Sequence, residues 1–556
     1  MYKNKLFHAV FFLGIALGAA SCKKQLDVQN PNKPTVAVNV TSLSGLISIA
    51  QGSVYTNGFI NGDAWLGDSY FSLPYGYSEL MADVVGADAS NNQITTVGQP
   101  DYYILDDGTK KTNSSPQIAL LRTYNSRSAS NNNNNVLYFQ WLNMYALNGA
   151  CNTVLSYLPT ITLTADAEAT LKAWCYWWKG YAYASIGSMY YSGLIIDSVN
   201  GKSNNYVSKD SIIAHSNYYL NLTVSTLAAI PAGSADYSSV LGQLIPSFFQ
   251  VGNGGVLTTA MWTRNINTLL ARNILVNKLS PFVNDDPNAT ISKSSTTPMT
   301  TTDWNSVLTL ATAGIQQGDF VFTGRSAASN TYFTATGGTA ASLTVGPNVS
   351  TTFKISERFM QNFEAGDKRM TTGFYANNNY HNDFFSTRYS LFDSLSQDIT
   401  GAQSFGSKVA GQYEVFIGGS YEENELMLAE ANIRLGNTDP GLAYVDAVRT
   451  YLGAGVAAVS GTGLTMTQAL KELVRERRIA LVFRGISYYD SRRWGWTYDI
   501  ANGGGSYGNT VLTNTDALST NATINYNFLD YWDIPADETV LNPPATGSAP
   551  VVNPNF

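Results

Sequence analysis

The chain has 556 residues, 44% of them hydrophobic, 12% aromatic and only 13% charged, which supplies a large core and excludes a disordered chain. Its formal net charge of −7 comes with no basic stripe to neutralise phosphates, which argues against nucleic acid as a partner.

In chain order the first feature is an export signal. Lys3 and Lys5 precede an apolar run over residues 6–17, and the small residues Gly18, Ala19, Ala20 and Ser21 lead directly to Cys22. The run is shorter than the roughly 20 residues a membrane-spanning helix needs, and a cysteine directly after small residues resembles a bacterial lipobox. Residues 1–21 therefore read as a lipoprotein signal peptide, Cys22 as the acylated first residue of the exported chain, and residues 22–35 as a polar, flexible tether. A plain secretory signal that happens to contain a cysteine is the alternative. Residues 36–556 contain no long Pro/Gly/Ser linker and read as one domain with loop insertions.

Helical periodicity begins at Leu137: Trp141, Tyr145, Asn148, Asn152, Leu155 and Leu158 step by three or four residues along one face until Pro159. A second helix starts near Thr164, has Asp166 and Glu168 at the positive end of its dipole, and carries Trp174, Trp178, Ala182, Ser185 and Met189 at the same spacing. The stretch 181–196 reads as a buried helix. Further helices are expected at 210–229, 261–278, 303–317, 421–435, 440–451 and 467–483. Paired antiparallel helices with short turns predict a mainly α, tetratricopeptide-like fold with a few short β-strands, the pairs covering about 136–280 and 420–495. The stretches between them, about 60–135 and 281–420, are loop-rich and form the expected ligand face.

Catalytic motifs fail on geometry. His215 and His381, the histidines beyond the signal, stand in no metal-ligand spacing, so no metal site is expected. Gly67-Asp68-Ser69 lacks a histidine base near the C-terminus. Gly201-Lys202-Ser203 has Ile196 where a phosphate-binding loop needs glycine. A glycosidase's carboxylate pair is the one enzymatic arrangement that 40 acidic residues leave open. Cys151 and Cys175 lie on apolar helical stretches, where buried free thiols are the default and a bridge between paired helices the alternative. The acidic pairs Asp106-Asp107 and Asp285-Asp286 read as solvated turns, and the arginines of 475–478 and 492–493 as helix-packing groups paired with acids such as Glu472, Glu476 and Asp490, with an anion site as the alternative.

Several segments resemble the SusD/RagB family. Trp141-Leu-Asn-Met-Tyr145 leading to Asn152, and the following helix to Gly187 and Tyr190, are similar to its N-terminal helix pair. Glu425-Leu-Met-Leu-Ala-Glu430-Ala431 followed by Val448-Arg449 resembles its "L-x-x-A-E-A…V-R" pair, and Glu476-Arg477-Arg478 through Gly485 to Asp490 and Arg493-Trp494-Gly495 its arginine-rich segment. Tyr531-Trp532-Asp-Ile534-Pro535 with Glu538 and Asn542, and Asn553-Pro554-Asn555-Phe556, resemble its C-terminal pattern. The departures are Ala480 and Arg484, where glutamate is usual, and Ser487, where arginine is common.

The resemblance implies a non-enzymatic, cofactor-free nutrient-binding lipoprotein of the outer membrane, lipid-anchored and surface-exposed. It would act as a hinged lid for a SusC-like TonB-dependent transporter. The implied ligand is a glycan, with peptide as the alternative cargo and a ligand-free helical adaptor as a further reading. Sugar rings stack on aromatics and pair their hydroxyls with amides and carboxylates. The family's glycan-contacting loop resembles the stretch here that holds Asp101, Tyr102 and Tyr103, and Trp65, Tyr70, Tyr332, Tyr375 and Tyr380 are further candidates on loops.

Overall fold

A computed structural model describes residues 40–55, 74–87, 95–127, 135–324, 344–345, 353–392 and 415–556. The principal helices are α1 (Leu43–Tyr55), α2 (Pro74–Met81), α3 (Gln117–Tyr124), α4 (Tyr138–Tyr157), α5 (Ala165–Met189), α6 (Lys209–Ala228) and α7 (Ala235–Leu244). They continue with α8 (Thr259–Val276), α9 (Thr301–Thr312), α10 (Tyr421–Arg434), α11 (Thr438–Tyr451), α12 (Met466–Ala480) and α13 (Ser487–Arg493). The fold is mainly α, built of paired helices, as the periodicity predicts.

Local chemistry sets the boundaries. Pro159 lies in a 3-10 turn that ends α4, and the Thr164 side chain accepts from the Ala167 amide to start α5. Reciprocal capping boxes open α9 (Thr300 with Asp303) and α12 (Thr465 with Gln468). The predicted buried helix at 181–196 is corrected. α5 stops at Met189, because Tyr190 turns extended and bridges to Trp532, and Ser192–Gly193 then pairs as a strand with Val207–Ser208. The predicted 303–317 helix likewise ends at Thr312, where Ala313 leaves the helical conformation. The helices α1, α3, α7 and α13 stand where no individual helix was expected.

α5 is the hub, packing on α4 and α6 with α7 and α8 beside it. Its contact with α6 is close enough that a Cβ at Gly180 would lie 2.7 Å from Leu220 Cδ2. Trp174, Trp177 and Trp178 of α5 and Trp262 of α8 surround Phe322, with ring centroids 5.3–5.9 Å from it. Cys151 and Cys175 are buried free thiols, the default reading of the sequence. Lys179 is also fully inside: its ammonium donates to Asn148 Oδ1 (2.9 Å) and Asn152 Oδ1 and pairs with Asp197 at 3.0 Å. The unpaired lysine would be prohibitive there, and its two asparagines sit on the α4 face that the sequence marks by spacing.

The C-terminal pairs are held by buried ions. Arg493 donates to both oxygens of Glu430 at 2.6 and 2.7 Å, with neither side chain exposed, and to Asp490 at 2.7 Å; Arg477 holds Asp490 as well. Arg475 pairs with Glu472 at 2.8 Å, whereas Glu476 is taken by Arg369 and Arg449 from elsewhere in the chain. Two sheets flank the helices. The first runs β1 (Val85–Ala87), then later strands β4 (Thr344–Val345), β5 (Phe353–Ile355), β6 (Phe374–Tyr380) and β7 (Thr387–Phe392), in the order β1–β5–β7–β4 with β6 also on β7. The second joins β2 (Tyr102–Ile104) and β3 (Lys110–Thr112) to β8 (Ser506–Leu512) and β9 (Leu518–Asn525), in the order β8–β9–β2–β3. β2 pairs antiparallel with β9, Tyr102 opposite Asn525 and Tyr103 opposite Ile524.

Candidate functional site

A cleft of about 480 Å³ opens between α12 and the β8–β9 hairpin, a size typical of small-molecule sites. From α12 it receives Lys471, Arg475 and Arg478; from the hairpin Tyr507, Asn509, Asn521 and Thr523; Gln361, Asn362 and Trp496 complete the polar and aromatic wall. Neither His215 nor His381 lines it.

Its floor is a fixed ionic group. Asp83, in the left-handed region at φ 55°, accepts from the Arg358 guanidinium and from Ser356 Oγ at 3.1 Å, and the Tyr526 hydroxyl donates to it at 2.7 Å. Burial acts to lower the pKa of Arg358 but Asp83 overrides it, so the guanidinium stays charged. Beneath this group lies Glu79, which is fully buried and accepts from Ser487 Oγ at 2.8 and 3.0 Å. Burial pushes its carboxyl up to about 8, so Glu79 carries its proton at neutral pH.

The wall charges differ in how far they are compensated. Lys471 pairs with Asp285 at 2.7 Å, and Arg475 with Glu364 at 2.6 Å and with Glu472. Arg478, half-buried, makes no ion pair among the described residues; its guanidinium gives one long bond, 3.4 Å, to the Ala82 carbonyl and lies 5.4 Å from the centre of the Trp496 ring. The Trp496 indole N–H donates to the Phe282 carbonyl at 2.8 Å, which fixes the ring under that cation. Tyr507, half-buried on β8, turns its ring to the cleft.

None of the described candidates named from sequence lines this cleft, and the others lie outside the described residues. Tyr102 is half-buried on β2, with the Lys110 ammonium 3.7 Å from its ring centre. Burial and then the neighbouring Asp499, Tyr507 and Asp101 raise its hydroxyl pKa. Tyr103 points the other way: it is buried and donates to the Asp383 carbonyl at 3.0 Å. Asp101 holds the α3 start through the Gln117 amide (2.8 Å) and accepts from Asn527. Tyr380 is half-buried at the end of β6, 5.9 Å from the Lys354 ammonium, and the backbone at Tyr375 belongs to the same strand. Cys22, Trp65, Tyr70 and Tyr332 lie outside the described residues. Sequence reasoning misses Tyr507 and ranks helix packing above an anion site for the arginines of 475–478, whereas Arg478 is uncompensated among the described residues. The signal available for Arg478 was its place next to Arg477 on one helix: neighbours about 100° apart cannot both reach the same acid.

Asp106 and Asp107 accept from the turn amides at Thr520, Asn521 and Thr109, and Asp286 from the Asn288 amide, as capped turns do. Among the described residues no group of three His, Cys, Asp or Glu could hold a metal ion, and no helix is long and apolar enough to cross a membrane.

No curated protein matches the chain in sequence. Residues 423–547 match the model of the SusD family. Among solved structures, the chain is similar to a SusD superfamily protein from Parabacteroides distasonis, with a TM-score of 0.53, 14% identity and coverage of 93% of this chain and 100% of that one. It is similar to a SusD-like carbohydrate binding protein from Bacteroides fragilis at TM-score 0.51 and 14% identity, covering 90% and 99%. A third structure, solved with xylogluco-oligosaccharide, gives 0.52 and 14%, covering 91% and 99%. At such identities the likeness is one of fold, and it covers 90–93% of this chain. The chain thus carries the SusD family's sequence pattern over residues 423–547 and has the fold of SusD superfamily structures over most of its length.

Proposed function

We propose that the chain binds a saccharide at the outer surface of a cell and delivers it, as a hinged lid, to a SusC-like TonB-dependent outer-membrane transporter, held there by lipid on Cys22. The carrying observation is the cleft beside β2. Tyr507 offers a half-buried ring, and Gln361, Asn362, Asn509 and Asn521 offer the amides that pair sugar hydroxyls. Amides and charges rather than apolar side-chain pockets dominate its wall, which favours saccharide over peptide cargo. The described structures of similar fold, one a SusD-like carbohydrate binding protein and one solved with a xylogluco-oligosaccharide, support the same ligand class. Transport energy comes from the partner, and ligand binding contributes by shifting the lid between open and closed states. No reaction is assigned to the chain, and residues 36–556 act as one domain.

The test is purification of the full-length lipidated protein from native outer membranes in mild detergent, with mass spectrometry of the proteins that accompany it. A TonB-dependent barrel in near-stoichiometric amount is expected. Recovery of the lipoprotein without a barrel overturns the lid role.

A further inference from the structure

The charges around the cleft do not balance. Each acid near Arg478 is already committed: Asp83 to Arg358 and Tyr526, and Asp490 to Arg477 and Arg493. Glu79 holds its proton and offers no negative charge at neutral pH. Other arginines of this region that lack a close carboxylate are satisfied differently. Arg492, for example, gives three bonds of 2.8 Å to the carbonyls of Ser188, Asp530 and Val276. Arg478 has its single 3.4 Å bond and lines an open cleft. A guanidinium that is desolvated by burial and has no close protein carboxylate is a receptor for an anion that can accept two parallel N–H bonds. Trp496 holds the cation from one side, so it is positioned before any ligand arrives.

We infer that the saccharide bound in this cleft carries a carboxylate, as uronic and sialic acids do, and that Arg478 receives that carboxylate while Tyr507 stacks on a ring and the Gln361, Asn362 and Asn521 amides take hydroxyls. A carboxylate-bearing sugar fits the site better than a compact anion because Arg478 lines a space of about 480 Å³ that a sugar ring fills and an inorganic ion does not. The inference rests on the saccharide-binding reading and names the ligand class of the same cleft.

The experiment is calorimetric titration of the full-length protein with a panel of uronate- and sialate-bearing oligosaccharides, each beside its carboxyl-reduced, neutral counterpart. At least one acidic member is expected to bind at least tenfold tighter than its reduced form. That preference should vanish in Arg478→Gln and persist in large part in Arg478→Lys, with melting temperatures of both variants close to the parent's confirming the fold. Binding of neutral members with no preference for the acidic ones overturns the carboxylate inference and leaves the saccharide reading standing. An acidic preference that survives Arg478→Gln overturns the assignment of Arg478. Failure of every glycan, acidic or neutral, overturns both readings.

Discussion

Glu79 allows the electrostatics under the cleft to be tested in numbers. It is fully buried, and burial moves its carboxyl from 4.5 to about 8 against the opposing hydrogen bonds of Ser487, Phe483 and Gly485 and the Arg478 charge. Because the folded pKa is the raised one, the folded state holds this proton more tightly than the unfolded chain does. The stability it contributes is therefore full below pH 4.5 and is lost as the pH rises through 8. At about 1.4 kcal/mol per tenfold change in proton affinity, the loss between pH 5 and pH 8 is about 3 kcal/mol. Glu79→Gln has no proton to lose, and its amide oxygen keeps the accepting role toward Ser487 Oγ and the main chain. Urea unfolding of parent and variant side by side should find them within about 1 kcal/mol at pH 5 and the variant more stable by about 3 kcal/mol at pH 8. A difference that stays constant across that range refutes the assignment of a buried neutral carboxyl.

Arg493→Met leaves Glu430 buried without its cation and should reduce stability by about 3–5 kcal/mol in denaturant titration, with part of the loss recovered in the double variant with Glu430→Leu. Lys179→Met strips Asn148 and Asn152 of their donor. Because Asp197 keeps His215 at 2.7 Å and is partly solvated, the loss should be smaller, about 2–3 kcal/mol by the same measurement. Trp262→Ala opens a void beside Phe322 and should lower stability by about 3–5 kcal/mol. Tyr102→Ala, on the half-buried β2 position, should weaken saccharide binding about tenfold with an unchanged melting temperature, whereas Tyr103→Ala should lower the melting temperature itself.

Long helices were legible because their signals are redundant. α5 announces itself by the Thr164 cap, the acids of its first turn and tryptophans at helical spacing, and any one of these suffices to find it. α2, α3 and α13, at seven or eight residues each, are too short for a repeating apolar face, and their helicity is imposed by neighbours. The end of α5 was misread because residues 181–196 remain apolar after the helix stops; apolarity marks burial, and a buried extended segment looks the same. The arginine pairs were legible in kind, since Arg475–Glu472 and Arg477–Asp490 are the expected partners, but Glu476 reaches Arg369, 107 positions away, which no local pattern encodes. The site was legible only in part for the same reason. Asp101 and Tyr102 stand near the cleft, yet its walls come from α12 and the β8–β9 hairpin, brought to β2 by strand pairing between residues some 420 positions apart.

The ionic floor also bears on how the molecule is made. Asp83 waits for Arg358 and Tyr526, 275 and 443 positions later, and Glu79 for Ser487, 408 positions later. A chain that emerges from its N-terminus first carries these carboxyls long before their partners exist, and enclosing them alone is unfavourable by several kcal/mol each. The first third is thereby kept from closing prematurely over its own core. Final consolidation therefore waits on sequence-distant contacts, which makes folding slow for a helical protein.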